Sequence, residues 1–143
     1  MLRRVKMAIE SVKKMVAAAK EQIDNISPTE AARRAKDEGA LIVDIRDVRE
    51  MQRDGAIPGA MHAPRGMLEF WVSPDSPYTK EIFSEDREFV LCCAGGMRSA
   101  LSAKTLKDMG MERISHIETG FGGWREDDMP IETYEDWQAN RKR

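Results

Sequence analysis

Cysteine and histidine are scarce in this chain, with two of each among its 143 residues. The two cysteines, Cys92 and Cys93, are adjacent, and neighbours in sequence rarely meet the specific geometry of a structural disulfide. A disulfide-stabilised scaffold is therefore excluded. The cysteines and histidines also lack the spacing of a zinc site, so we expect neither a metal nor another cofactor. If the cysteines serve the function, they serve it as thiols.

Long apolar runs and an excess of charge of one sign are also absent. No apolar stretch approaches the roughly 18 residues that a membrane-spanning helix needs. The formal net charge of -2 gives no general attraction to nucleic acid, so neither a membrane span nor a nucleic-acid partner is expected. The basic start, MLRRVK, is not followed by the apolar region of a signal peptide, and Glu10 and Glu21 are untypical of a transit peptide. We therefore expect a cytoplasmic protein.

An amphipathic helix is predicted over residues 2–26. Apolar residues recur there in steps of three and four, which places them on one stripe of a helix. The stripe comprises Leu2, Val5, Ile9, Val12, Val16, Ala19, Ile23 and Ile26. The same period is typical of a coiled-coil seam, so the helix either docks on its own domain or joins two copies in a homodimer. We accordingly divide the chain into this helix, residues 1–26, and a domain over residues 27–143.

The rest of the chain alternates short apolar runs with amphipathic segments. The runs ALIVDI (40–45), EFVLCC (88–93) and RISHIE (113–118) predict buried strands. Strands that alternate with helices predict an α/β domain with a mostly parallel sheet. Ligands of such sheets bind at the carboxyl ends of the strands, and Cys93 lies at the end of its strand.

The stretch LCCAGGMRS (91–99) joins one of these strands to the predicted helix SALSAKTLKDMG (99–110). A thiol with an ordinary pKa of about 8.5 is only slightly ionised at neutral pH. The backbone N–H groups of a short glycine-rich loop converge on one point, and the helix N-terminus and Arg98 add positive charge there. We therefore expect this loop to stabilise a thiolate, or an anion that the thiolate attacks.

Two spacings leave the identity of the nucleophile open at this point. The pattern from Cys93 to Arg98 is C-x4-R, and the pattern from Cys92 is C-x5-R. The first is the spacing of sulfur transfer and the second that of phosphate-ester hydrolysis. Because strand residues alternate between the two faces of a sheet, we expect Cys92 to point into the sheet as a small buried hydrophobe.

The same stretch and the helix after it resemble the active-site segment of the single-domain rhodaneses, or rhodanese-like sulfurtransferases. Cys93 has the nucleophile position, and Gly96, Arg98 and Ser99 also match. LIVDIRD (41–47), GAIPGAMHAP (55–64) and TGFGGWREDDMPIE (119–132) are similar to further motifs of that family, in the right order. The resemblance runs from about Ser27 to Glu132. It implies a three-layer sandwich with a five-stranded, mostly parallel sheet flanked by helices.

The resemblance also implies a two-step sulfur transfer with Cys93 and Arg98 as catalytic residues. The Cys93 thiolate would attack a donor such as thiosulfate, and a thiol acceptor would then take the sulfur from the Cys93 persulfide. Arg98 would bind the oxygens of the donor or brace the loop against a carboxylate. Asp44 and Arg46 are expected to support the loop as a hydrogen-bonded pair. Backbone N–H groups that would hold the persulfide belong to Ala94, Gly95, Gly96, Met97 and Ser99.

Departures from the family pattern keep the donor open, and two alternative functions remain. Ala94 is neutral where some members are basic, and Met97 replaces a smaller residue, so a protein-bound or organic persulfide is an alternative donor. Read from Cys92, the loop resembles that of phosphatases and arsenate reductases, although residue 91 is Leu where the tyrosine-phosphatase signature has His. The other alternative is a non-catalytic rhodanese-like interaction module, against which the intact Cys93 and Arg98 argue.

Overall fold

The computed structural model describes residues 1–4 and 8–141, and its centre is a five-stranded, all-parallel sheet. The strands lie in the order β1-β5-β4-β2-β3. Their bounds are β1 Asp24–Ile26, β2 Leu41–Asp44, β3 Met61–His62, β4 Phe89–Cys92 and β5 Ile114–Ile117. The α/β fold with a five-stranded parallel sheet, expected from the sequence, is confirmed.

Helices cover both faces of this sheet and give the fold its three layers. The helices are α1 Val12–Lys20, α2 Pro28–Asp37, α3 Val48–Asp54, α4 Leu68–Val72, α5 Met97–Asp108, α6 Gly120–Glu126 and α7 Tyr134–Asn140. Side chains of α2 and α6 pack on one face of the sheet, and those of α4 and α5 pack on the other. Among the residues described, no helix has the length and apolar character needed to cross a membrane.

Alternation along β4 divides the two cysteines between the faces of the sheet. Val90 and Cys92 belong to the core on the side of α2 and α6, whereas Leu91 and Cys93 belong to the core on the side of α4 and α5. Burial on both faces accounts for the uninterrupted apolar run of this strand. Because all strands are parallel, Cys93 follows β4 at the edge of the sheet where the carboxyl ends meet.

The predicted helix over residues 2–26 is wrong in its bounds. The helix α1 begins only at Val12, where the Ser11 Oγ accepts a hydrogen bond from the Lys14 N–H at 3.4 Å, and it ends at Lys20. Residues 1–4 and 8–11 lie outside any helix. Val5, a member of the predicted stripe, falls outside the described residues.

The segment after α1 is a strand because other hydrogen bonds replace a further helical turn. Asp24–Ile26 forms the edge strand β1, which pairs with β5. The Asn25 Nδ2 donates to the carbonyl of Lys20 at 2.8 Å and to that of Ile23 at 3.2 Å. Carbonyls at a helix end lack partners within the helix, so this side chain supplies a donor where α1 stops.

The buried side of α1 packs against α5 of the same chain. Val16 and Ala19 are only 7% and 3% exposed and contact Ala100, whereas Ile9 and Val12 are 78% and 51% exposed. The helix therefore docks on its own domain, which is one of its two expected roles. Homodimer formation stays a prediction, and so does the division of the chain at residue 26.

Val16→Asp should destabilise the fold, because it places a carboxylate in the buried contact between α1 and α5. We expect the free energy of unfolding, measured in urea, to fall by about 2 kcal/mol or more. The matched control is Val12→Asp on the exposed side of the same helix, which should change it by about 0.5 kcal/mol or less. Equal losses in the two variants would contradict this docking.

Candidate active site

The loop between β4 and α5 folds around the sulfur of Cys93. The Cys93 Sγ accepts hydrogen bonds from the Gly96 N–H at 3.0 Å and the Ser99 N–H at 3.3 Å. The Ser99 Oγ lies 3.5 Å from the same sulfur. Cys93 is 1% exposed, so little water competes with these contacts. Two N–H donors aimed at one buried sulfur can stabilise negative charge on it.

Gly96 is required by the shape of this loop. Its φ of 102° lies in the left-handed region, which residues with a Cβ rarely adopt. A Cβ at this position would also collide with the carbonyl oxygen of Glu118. The loop therefore passes directly against the end of β5, and only glycine permits this approach.

The turn that begins α6 holds the other side of the loop. The Phe121 N–H donates to the Cys93 carbonyl at 2.7 Å, and the Gly122 N–H donates to the Ala94 carbonyl at 3.0 Å. Gly120 has a φ of 66°, and a Cβ there would collide with both carbonyls. The loop carbonyls are thus bound by α6, while the N–H groups of the loop and of α5 contact the sulfur.

The other three predicted cradle residues, Ala94, Gly95 and Met97, are exposed, whereas the N–H groups that contact the sulfur belong to Gly96 and Ser99. Next to Ala94 lies an open cleft of about 490 Å³, lined in part by Arg46, Arg53 and Arg125. Arg46 is 1% exposed, so small molecules that approach the loop from this side meet the guanidinium groups of Arg53 and Arg125 together with the carboxylate of Asp54, which pairs with Arg53.

Cys92 is fully buried and belongs to the opposite side of the sheet. It is 0% exposed, and its thiol points to the Cys93 carbonyl at 3.5 Å. Burial, reinforced by the charge of Asp44, raises the pKa of Cys92 well above its ordinary value. Both cysteines are free thiols. Within residues 1–4 and 8–141, no cluster of His, Cys, Asp and Glu side chains is placed to hold a metal ion.

Arg98 binds a carboxylate of α3. Its Nη1 and Nη2 donate to the two oxygens of Glu50 at 2.8 and 2.9 Å. Hydrogen bonds from Arg98 lower the pKa of Glu50 below its ordinary value. Glu50 also accepts the Asp47 N–H, as part of the capping box at the start of α3. Of the two roles expected for Arg98, the observed contact is the brace between α5 and α3, and sequence reasoning did not find Glu50.

Asp44 and Arg46 form a buried, bidentate ion pair, as expected. The Arg46 Nε lies 3.0 Å from Asp44 Oδ1, and Nη2 lies 2.7 Å from Oδ2. The Nη2 also donates to the Gly55 carbonyl at 2.9 Å. The guanidinium lies 3.9 Å above the ring of Phe121, whose N–H holds the Cys93 carbonyl. The pair therefore supports the loop through α6 and does not contact the sulfur.

A histidine that sequence reasoning set aside lies behind the sulfur. The His116 Nδ1 is 2.7 Å from the Ser99 Oγ, and its Nε2 is 2.6 Å from the Asn25 Oδ1. His116 is 0% exposed, and burial lowers its pKa to about 4. The sheet register pairs His116 with Leu91, which lies on the same face as Cys93. Only this register could have indicated His116, and the sequence does not specify it.

Known proteins similar to this chain include sulfurtransferases. The thiosulfate sulfurtransferase GlpE of Actinobacillus pleuropneumoniae is 29% identical over 113 residues, which are 79% of this chain and 96% of that protein. YrkF of Bacillus subtilis is 28% identical over 88 residues. That match covers 62% of this chain but only 43% of YrkF, so the chain spans less than half of that relative.

A solved structure from Rhodopseudomonas palustris is more similar still. It is 48% identical, has a TM-score of 0.85, and the match covers 91% of this chain and 100% of that chain. That protein is described as one of unknown function and a possible tyrosine phosphatase. Its fold agrees with the one described above.

A family model matches most of the chain, including the site. The model of the rhodanese-like domain matches residues 27–127, which include the whole loop around Cys93 and the α6 turn that holds it. The match spans well over half of the chain. This chain therefore belongs to the family of proteins with a rhodanese-like domain.

Proposed function

We propose that the protein is a sulfurtransferase of the thiosulfate type that carries sulfane sulfur on Cys93. The observation that carries this proposal is the position of the Cys93 Sγ between the N–H groups of Gly96 and Ser99 at the end of β4. The similarity to GlpE, a thiosulfate sulfurtransferase, supports thiosulfate as the donor. A cytoplasmic location, expected from the sequence, stays a prediction.

The proposed reaction has two balanced steps. In the first, the Cys93 thiolate attacks the outer sulfur of thiosulfate, a new S–S bond forms, and sulfite leaves with the electron pair of the broken S–S bond. In the second, a thiophilic acceptor attacks the terminal sulfur of the persulfide. Cyanide would leave as thiocyanate and a thiol would leave as a persulfide, and either step returns Cys93 to the thiolate.

Backbone groups rather than a side-chain charge would stabilise the sulfur anions in this mechanism. The N–H groups of Gly96 and Ser99 already contact the Cys93 Sγ, and the N-terminus of the twelve-residue helix α5 adds its partial positive charge. Arg98 is held by Glu50 and positions the loop. The arginine-lined cleft beside Ala94 is the route that we propose for an anionic donor.

The description of the Rhodopseudomonas palustris relative is the observation that favours a second candidate, a phosphatase that uses the C-x5-R pattern from Cys92. Arsenate reduction belongs to the same alternative. Cys92 belongs to the core on the other face of the sheet from the loop, and burial raises its pKa, so it would need both a large movement and an unfavourable ionisation to act as a nucleophile. These two properties support Cys93, and the sulfur-transfer proposal, over this alternative.

Thiosulfate should load one sulfur atom onto Cys93. Intact-protein mass spectrometry after incubation with thiosulfate should detect a gain of one sulfur in wild type and Cys92→Ser, and cyanide should remove it. Cys93→Ser should gain nothing, because a hydroxyl at that position forms no persulfide. The pair is closely matched, since the two substitutions are identical and adjacent.

Other outcomes would separate the alternatives. Sulfur on Cys92 would overturn the assignment of the nucleophile. Hydrolysis of p-nitrophenyl phosphate, lost in Cys92→Ser and without any sulfur loading, would favour the phosphatase. Absence of sulfur loading from thiosulfate and from organic persulfides, together with absence of hydrolysis, would favour an interaction module.

Arg98→Ala and Glu50→Ala should impair sulfur transfer to the same extent, because each removes the same brace. We expect either variant to lower kcat/KM for thiosulfate by about tenfold, and the double variant to be no worse than the singles. The control is Arg49→Ala, which removes the exposed ion pair with Asp47 on the same helix as Glu50 and should leave kcat/KM unchanged. A raised KM for thiosulfate in Arg98→Ala alone would instead indicate that Arg98 binds the donor directly.

A further inference from the structure

A chain of hydrogen bonds leads from the sulfur of Cys93 to the segment that precedes the matched domain. The Cys93 Sγ lies 3.5 Å from the Ser99 Oγ, which lies 2.7 Å from the His116 Nδ1. The His116 Nε2 lies 2.6 Å from the Asn25 Oδ1. Ser99 and His116 are both 0% exposed, so water does not compete with the bond between them. Which atom donates in each hydrogen bond follows from the bond before it, beginning at Asn25.

Asn25 fixes the first direction. Its Nδ2 is 2.8 Å from the carbonyl oxygen of Lys20 and 3.2 Å from that of Ile23. Carbonyl oxygens only accept hydrogen bonds, so the amide nitrogen must face them and the amide oxygen must face His116. The oxygen also only accepts, and the hydrogen in the contact with His116 therefore belongs to the Nε2.

The protonation of His116 determines which atom donates in its hydrogen bond with Ser99. Burial is the main cause that lowers its pKa to about 4, with Lys20 lowering it further and Asp24 opposing. The ring is therefore neutral at neutral pH and carries one hydrogen, which is on the Nε2. The bare Nδ1 is an acceptor, so the Ser99 hydroxyl donates its single hydrogen to it.

We propose that His116 and Asn25 are positioning residues for Cys93, because they lock the Ser99 hydroxyl so that its lone pair, and not its hydrogen, faces the sulfur. In this state Ser99 accepts a hydrogen bond from the resting thiol and donates none to the thiolate. Among the residues that the structure describes, the hydrogen bonds to a charged sulfur then come from the N–H groups of Gly96 and Ser99. The proposal rests on Cys93 as the nucleophile of the proposed function, but not on the identity of the donor.

The hydrogen bonds that fix the Ser99 hydroxyl begin at Asn25, outside the matched family domain, which begins at residue 27. We call the chain from Asn25 through His116 to Ser99 the lock. Asn25 lies in β1, and the two carbonyls that orient it belong to the last residue of α1 and to the segment after that helix. The N-terminal segment therefore does more than complete the sheet. It sets how strongly the sulfur of Cys93 is held as a thiol.

The test is the pH dependence of Cys93 alkylation by iodoacetamide, followed by mass spectrometry. A Cys92→Ala background leaves Cys93 as the single thiol of the chain. His116→Gln can still donate to Asn25 but offers no acceptor at the position of the Nδ1, so the Ser99 hydroxyl is free to donate to the thiolate. We expect the midpoint of alkylation to move down by about one pH unit, which is about tenfold more thiolate at a fixed pH below it.

Asn25→Ala is the second variant and lies at the partly exposed sheet edge, where the fold is least at risk. It frees the ring to change tautomer, because the Nδ1 can then carry the hydrogen and donate to Ser99. The midpoint should again move down. If neither variant moves the midpoint, or if both move it up, the proposal is wrong.

Ser99→Ala is the control that distinguishes an effect through the Ser99 hydroxyl from a general structural effect of the His116 and Asn25 variants. With the hydroxyl removed, adding His116→Gln or Asn25→Ala should move the midpoint no further, because both act through that hydroxyl. An equal shift with and without the hydroxyl would overturn the proposal. Nitrogen-15 NMR of His116 should show a protonated Nε2 and a bare Nδ1, and the opposite tautomer would also overturn it.

Failure of this proposal can be told from failure of the proposed function. Alkylation reports the ionisation of Cys93 whether or not thiosulfate is a donor. A wild-type protein that takes no sulfur from thiosulfate, yet shows the expected shifts, would refute the sulfur-transfer function only. A protein that loads sulfur but shows no shift would refute the lock only.

Discussion

The site depends on a backbone contact between the Cys93 loop and the turn that begins α6. Two hydrogen bonds hold the loop carbonyls, from the Phe121 N–H to Cys93 and from the Gly122 N–H to Ala94. Bulk at Gly120 would force these segments apart, and bulk at Gly96 would push the loop away from the Glu118 carbonyl. Because the carbonyls are held on one side, the N–H groups that contact the sulfur can act together without competition from nearby acceptors. The chemistry of a single sulfur is thus set by the packing of two loops at one edge of the sheet.

The charged residues around this contact stabilise its position rather than the reacting atoms. Arg46, paired with Asp44, lies against the ring of Phe121, and the pair of Glu50 and Arg98 joins α5 to α3. A buried pair is tolerable only when its hydrogen bonds are satisfied, and Arg46 meets this condition through the Gly55 carbonyl. Both arginines are bound by carboxylates, and the groups that donate to the sulfur are the backbone N–H dipoles of Gly96 and Ser99. Such dipoles suit the sulfur anions of the proposed transfer, since they need no rearrangement as the charge changes.

Local patterns in the sequence were sufficient for β2, β4 and β5, for the loop and for the assignment of Cys92 to the sheet. The run EFVLCC predicts its own burial, and alternation along it separates the two cysteines. Local patterns could not predict contacts between residues that are distant in sequence. Glu50 lies 48 positions from Arg98, and His116 lies 17 positions from Ser99, so both contacts depend on the tertiary arrangement. The helix bounds failed for the same reason, because pairing with β5 overrides the helical period at Asp24–Ile26.

The edge strand β1 explains why the N-terminal segment matters to the sulfur. His116 lies in β5, whose free side would meet solvent if β1 did not cover it. Water both donates and accepts, so water at the Nε2 would leave the ring free to adopt either tautomer. An amide oriented by two carbonyls can only accept at that point, and it therefore removes this freedom. A segment at the edge of the sheet can in this way control a hydroxyl beside Cys93 without contacting the sulfur, which gives the N-terminal extension a direct physical link to the site.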